Sequence, residues 1–188
     1  AWMKAIPGMV VLNPCDYNQT RLMVKKMYEY DGYAYMRTSR EPVVCVTSME
    51  DDIEIGKAQV LREGKDLTII ATGMGVANAV QAARQLQEEH GLDIGVIDMH
   101  TIKPLDKEAV LKAAKASGKL ITVEDHNIKG GLGSIVADVL AEEGVACALK
   151  KIGIPDTFVE FGYPEEIYPY YGMDPAGVTK TALEFLGK

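Results

Sequence analysis

The sequence predicts an α/β fold: a doubly wound, mostly parallel sheet over residues 66–188, preceded by a partial βαβ unit over residues 1–48. Two observations carry this reading. From residue 67 onward, apolar β-branched runs alternate with segments of helical period, the pattern of parallel strands joined by crossover helices. Glycines stand where those helical periods stop, at Gly91, Gly118 and Gly144, as helix C-caps require.

In the first piece, residues 9–12 (Met-Val-Val-Leu) read as a strand and Asp16 as a helix cap. Residues 17–30 are helical, with Leu22, Val24, Met27 and Tyr28 apolar. Asp31-Gly32 turns the chain into a second strand at 33–36. A unit this short cannot bury both faces of its strands alone. It is therefore expected to pack on the second domain or to be the end of a larger one. Residues 49–65 are read as a linker: Met49-Glu-Asp-Asp52 is acidic, and 53–61 alternates only in part before Glu63-Gly64, which suits an extended segment or a hairpin.

In the second piece the runs at 67–72, 94–98, 120–123 and 147–154 are expected strands. Helices are expected at 76–90, at 107–116 with Asp106 as N-cap, from Gly130-Gly-Leu-Gly133-Ser134 to about Glu143, and at 178–186. The stretch 101–106 reads as a loop.

Composition narrows the function. The chain is 47% hydrophobic and 25% charged, with a net charge of −7, an ordinary globular balance. An acidic chain without a basic face is a poor nucleic-acid binder. No apolar run reaches the roughly 20 residues of a membrane span, and residues 1–8 carry no signal-peptide pattern. Cys15, Cys45 and Cys147 are widely spaced and form no CxxC. The expectation is reduced thiols in a cytoplasmic protein, with neither a zinc site nor a disulfide framework.

Four groups of residues are candidates for chemistry. Gly73-Met-Gly75-Val-Ala-Asn78 follows a strand and opens a helix, with Asp98 ending the next strand. It reads either as an imperfect dinucleotide fingerprint, its third glycine replaced by Asn78, or as a tight strand-to-helix turn. Glu124-Asp125-His126 precedes the glycine-rich helix start and faces Gly73–Asn78 if both flank the crevice of the sheet. A carboxylate beside a histidine can do acid–base work; the alternative is that these residues cap the helix and hold a domain or subunit contact. Arg37-Thr-Ser-Arg40 places two arginines beside two hydroxyls, a credible anion site or simply solvated side chains. His90 sits at a helix end, where it meets the negative dipole, and His100 in a loop. Neither has a metal-like partner, and no cysteine has a base nearby in sequence. The aromatic run from Tyr163 to Tyr171 reads as a packed surface segment.

Several segments, in order, resemble one family. Ala5-Ile-Pro-Gly-Met9, Asn13-Pro-Cys-Asp16 and Tyr35-Met-Arg-Thr-Ser-Arg40 look like the closing stretch of the pyrimidine-binding domain of transketolases. Glu54-Ile-Gly-Lys-Ala58, Thr68-Ile-Ile-Ala-Thr-Gly73, Asp98-Met-His-Thr-Ile-Lys-Pro-Leu-Asp106, Thr122-Val-Glu-Asp-His126 and Gly130-Gly-Leu-Gly-Ser134 look like their C-terminal domain. The resemblance covers nearly the whole chain and is greater to the short or split bacterial and archaeal transketolases, or to the vertebrate type, than to the long yeast type. The β subunits of 2-oxo-acid dehydrogenases and deoxyxylulose-phosphate synthase share parts of it; Arg-Thr-Ser-Arg and the Pro-Glu-Glu-Ile-Tyr ending favour transketolase. Pro155-Asp-Thr-Phe-Val-Glu-Phe-Gly162 departs from the family, which usually has an arginine after the aspartate, and Cys15 replaces its usual alanine.

The resemblance implies an enzyme that transfers a two-carbon ketol unit between sugar phosphates with thiamine diphosphate and Mg2+. It implies a homodimer and an upstream portion carrying the pyrimidine-binding and diphosphate-binding parts. Arg40 matches the arginine that binds the substrate's sugar phosphate. No catalytic, cofactor-binding or metal residue of the family falls in this chain. The fragment alone is thus expected to be inactive and to bind no cofactor. The competing readings are a part of another thiamine-dependent enzyme, a 2-oxo-acid dehydrogenase β subunit or deoxyxylulose-phosphate synthase, and a non-catalytic nucleotide-binding or assembly module.

Overall fold

The computed structural model describes all 188 residues, built as two units joined along a seam. In the first unit a short helix α1 (Trp2–Ala5) leads to strand β1 (Val10–Leu12), helix α2 (Tyr17–Glu29) and strand β2 (Ala34–Met36). β1 and β2 pair in parallel, so the βαβ reading holds. Asp16 caps α2 by accepting from the Gln19 N–H at 2.9 Å. Its carboxylate also accepts from the N–H groups of Val46 and Thr47, tying the start of α2 to the segment that leaves the unit.

The second unit is a five-stranded sheet formed by β3 (Gln59–Arg62), β4 (Leu67–Ala71), β5 (Ile94–Asp98), β7 (Lys119–Asn127) and β8 (Ala148–Ile154), in the order β3-β5-β4-β7-β8. Four strands are parallel and β3 is an antiparallel edge. Helices α3 (Gly75–His90) and α7 (Pro175–Leu186) cover one face, and α4 (Lys107–Ser117) and α5 (Leu132–Glu142) the other. Ile69, Ala79, Ala83, Ile121 and Val178 lie in the first layer; Ile70, Val110, Leu120 and Val136 lie in the second. β4 is wholly buried, as a central parallel strand should be. The expected caps are present: Asp106 on α4, and left-handed Gly91 and Gly118.

Four expectations are corrected. Residues 59–62, placed in the linker, form β3; they pair with β5 and not with the following strand, so there is no hairpin. Thr101–Lys103, read as loop, is a strand, β6, and it pairs antiparallel with β1 of the first unit. The third strand of the second piece runs on past residue 123 to Asn127, so Glu124, Asp125 and His126 lie on β7 and not after it. The aromatic run, read as a packed surface segment, packs only in part: residues 164–170 form a short helix, α6 (Pro164–Tyr170), with Tyr168 and Tyr171 against the core and Tyr163 and Tyr170 exposed.

β6 is what joins the units. The first sheet has the order β2-β1-β6, so the second unit supplies its third strand. The Lys103 ammonium then reaches back and donates to the carbonyls of Lys4 and Ile6, at 2.8 and 2.6 Å.

Candidate functional site at the seam between the units

In a doubly wound sheet the ligand crevice lies beyond the carboxyl ends of the strands, where the winding reverses. Here that point is between β4 and β7, and the first unit fills it. Asn13 donates from its side chain to the Thr72 hydroxyl at 3.2 Å, and its carbonyl accepts from the Gly73 N–H at 3.3 Å. Gly73 has φ +56, and a β-carbon there would come within 2.7 Å of the Asn13 amide. The turn at 73–75 is therefore occupied by protein. Asn78 donates to the Met173 carbonyl at 2.9 Å. Asp98, the expected ribose ligand of the dinucleotide reading, is fully buried and turned toward α2, where it accepts from the Gln19 amide. The segment is a tight strand-to-helix turn.

The glycine-rich start of α5 is likewise filled from within. Glu124 is buried and accepts from the N–H groups of Leu132 and Gly133, at 2.6 and 2.9 Å. A carboxylate at a helix N-terminus satisfies orphan amides and meets the positive end of the dipole, so two of the amides that would meet a phosphate there are already taken. A β-carbon on Gly131 would lie 1.9 Å from the Glu124 carboxylate. That close approach, not backbone strain, is why glycine stands at this position. Burial pushes the Glu124 pKa up, against the two amides and Lys151.

His126 is 3.8 Å from Glu124, too far for a hydrogen bond. Its Nδ1 donates to the Asn127 carbonyl at 2.8 Å, and burial holds its pKa below the usual histidine value. The pair is not arranged as an acid–base dyad, because Glu124 spends both oxygens on backbone amides. Of the two readings of this segment, capping and domain contact is the one the structure supports.

Asp125 makes that contact. Strand alternation turns it away from Glu124, toward the first unit, where it grips Arg37. Arg37 Nη1 and Nη2 donate to the two carboxylate oxygens at 2.6 and 2.7 Å, and Nη2 also donates to the Asp125 carbonyl at 3.1 Å. Two residues further on, the Ser39 hydroxyl meets the Met74 sulfur at 2.8 Å, and Tyr168 of α6 donates to the same sulfur at 3.1 Å. Arg40 follows, exposed, and its guanidinium has no hydrogen-bond or ion-pair partner in the chain. The Arg-Thr-Ser-Arg segment thus separates into one arginine committed to structure and one left free. That division is invisible in the sequence, where both arginines look alike.

A cleft of about 600 Å³ opens beside this seam, lined by Trp2, Asn13, Tyr35, Arg37, His126 and Lys129 among others. Lys129 is paired with Asp156 at 2.7 Å. No three His, Cys, Asp or Glu side chains cluster as a metal site. The residues of this chain therefore do not fit thiamine diphosphate and its divalent ion: the two helix starts that could cradle a diphosphate are filled by Glu124 and Asn13. Of the remaining candidates, His90 ends α3 as expected. His100 is buried, and burial pushes its pKa down to about 4. The Cys15 thiol is buried and pushed up by desolvation and by Asp98, which removes it as a nucleophile.

Fold and seam together define a doubly wound α/β domain joined to a βαβ unit whose small sheet it completes with β6. The chain belongs to the family described as transketolase, C-terminal domain, whose model matches residues 56–178. It is 45% identical over 189 residues to one of the subunits of the apulose-4-phosphate transketolase of Phocaeicola vulgatus, covering 100% of this chain and 60% of that protein. It is 40% identical to a putative transketolase C-terminal section of Methanocaldococcus jannaschii, covering 100% and 59%. A 1-deoxy-D-xylulose-5-phosphate synthase of Heliobacterium modesticaldum is 38% identical over 98% of this chain and 29% of its own length. Among solved structures, a split gene transketolase described as an inactive beta4 tetramer superposes with a TM-score of 0.91 at 38% identity, covering 98% of this chain and 59% of that one. The chain spans about 60% of the length of the first two relatives.

Proposed function

We propose that this chain serves as the C-terminal part of a transketolase. The assembled enzyme moves a two-carbon ketol unit between sugar phosphates in the cytoplasm, as a dimer, with thiamine diphosphate and Mg2+ held by its upstream portion. The chain alone is inactive and contributes substrate recognition through Arg40. The observation that carries this is the pairing of similarity over nearly the whole chain, to a transketolase subunit and to a split gene transketolase, with an exposed, uncommitted guanidinium at Arg40. A planar guanidinium free of internal partners is suited to a bidentate grip on phosphate.

The test is Arg40→Ala in the assembled enzyme. A charged hydrogen bond to phosphate contributes roughly 1.5–3 kcal/mol. KM for a phosphorylated acceptor should therefore rise about 10- to 150-fold, while the KM of the same aldose without its phosphate stays put. Equal losses for both acceptors would remove Arg40 from the phosphate site.

A further inference from the structure

The segment that presents Arg40 is held by the C-terminal domain and by little else. β2 ends at Met36, and the Arg37 N–H makes one last ladder bond to the Leu12 carbonyl at 2.9 Å. Beyond that point the anchors come from the second unit: Asp125 on Arg37, and Met74 on Ser39. The Arg37 fork is filled by two carboxylate oxygens and one carbonyl oxygen of a single residue, an arrangement that fixes direction as well as distance. The Asp125 side chain is only 14% exposed, and the Tyr168 hydroxyl lies beside it. Ser39 also accepts from the Glu41 N–H at 3.1 Å, so the turn that carries Arg40 is closed on itself once Ser39 is placed. Arg40 is thus a free side chain on a backbone fixed at both preceding anchor points.

We propose that Asp125 is a positioning residue for the phosphate site: through Arg37 it sets where Arg40 stands, and so gives the C-terminal domain a part in choosing phosphorylated substrates. This rests on the reading of Arg40 as the phosphate ligand. Asp125 does not touch substrate. Its effect passes through the Arg37 guanidinium and three residues of backbone, so it should appear in the binding of the phosphate and not in chemistry common to all acceptors.

The experiment is a double-mutant cycle in the assembled enzyme, with Asp125→Asn, Arg40→Ala and the pair, each assayed with an acceptor aldose in its phosphorylated and unphosphorylated forms. Asp125→Asn keeps shape and one acceptor oxygen while removing the charge. It should raise KM for the phosphorylated acceptor by about 10-fold, the scale of coupling between neighbouring residues, and leave kcat and the unphosphorylated KM unchanged. In the Arg40→Ala background the same substitution should add nothing. Asp125→Glu, which restores the carboxylate, should recover part of the loss. Full additivity of Asp125→Asn with Arg40→Ala, or an equal effect on both acceptors, overturns the proposal while leaving Arg40 in place. An Arg40→Ala variant that does not discriminate between the acceptors overturns the phosphate reading and this proposal with it. If Asp125→Asn does not assemble, Arg37→Lys, which keeps the charge and loses the fork, is read in the same cycle with the same expectations.

Discussion

Arg37 and Asp125 stand 88 positions apart in the chain and meet in a three-bond clamp at 2.6, 2.7 and 3.1 Å. The clamp crosses from the first unit to β7, so it bears on stability as well as on the site. Asp125→Ala leaves a half-buried guanidinium without its partner. Because the Arg37 side chain is 39% exposed, solvent screens part of the loss, and the expected cost is about 1–2 kcal/mol, between surface and buried pairs. Urea unfolding of the purified chain measures it as a lower midpoint at unchanged slope.

Glu124 should be far less replaceable. Removing its carboxylate orphans two buried amides at the start of α5, at a cost of about 3 kcal/mol. Gly131→Ala attacks the same contact from the other side, since the new methyl lands on the Glu124 carboxylate. Each single variant should lower the melting temperature markedly. The double variant should cost less than the sum of the two single variants, because the carboxylate is already gone and only the Asn127 carbonyl oxygen, 2.9 Å from the new methyl, still crowds it. Strict additivity would mean that Gly131 is required for some other reason.

Asp98 and His100 predict an unusual pH response. Burial, with a smaller contribution from Asp16 and against the hydrogen bond from Gln19, pushes Asp98 up to about 7. The folded state then holds a proton that the unfolded state has lost, so stability falls as pH rises from about 4 to 7. Burial pushes His100 down to about 4. The unfolded state there holds a proton that the folded state refuses, so stability rises between about 4 and 6.5. The two slopes oppose each other. Relative to the wild type, Asp98→Asn should gain stability as pH rises through this window, and His100→Gln should gain it as pH falls. Thermal unfolding at pH 5, 6 and 7.5 checks both signs; variants that run parallel to the wild type would remove these groups as the source.

Thiol labelling reads the seam directly. Cys45 is exposed, Cys147 is partly covered and Cys15, from the first unit, is buried in the core layer of the second. A pulse of iodoacetamide followed by peptide mass spectrometry should find Cys45 modified first and Cys15 protected until the chain unfolds. Labelling of Cys15 at the rate of Cys45 would mean that the first unit swings away from the second in solution.

The elements legible in the sequence are those with local causes. Asp16 and Asp106 each cap the helix that follows, and Gly91 and Gly118 end helices in the left-handed conformation. These signals lie within a turn of the structure they specify. Thr101–Lys103 carries no such signal, because it is a strand only by virtue of β1, a partner in another part of the chain. Glu124, Asp125 and His126 do not look like strand residues. They extend β7 because their polar groups have assigned partners in α5 and in the first unit. Arg40 stands out through family resemblance, whereas spacing alone makes Arg37 its equal. Only the position of Asp125 separates the two, and pairings over 88 positions leave no trace in local pattern.

The strand supplied by β6 also bears on how the protein comes into being. Until Thr101–Lys103 has been synthesised, β1 presents an unpaired edge, the kind of backbone template to which other chains add. Once the strand is in place, a protease cut between residues 49 and 58 would leave the two units still held by the short β1–β6 pairing, the Lys103 bonds to α1 and the Arg37–Asp125 clamp. The cut protein is then expected, like the intact chain, to unfold in one transition, with neither half released before the other.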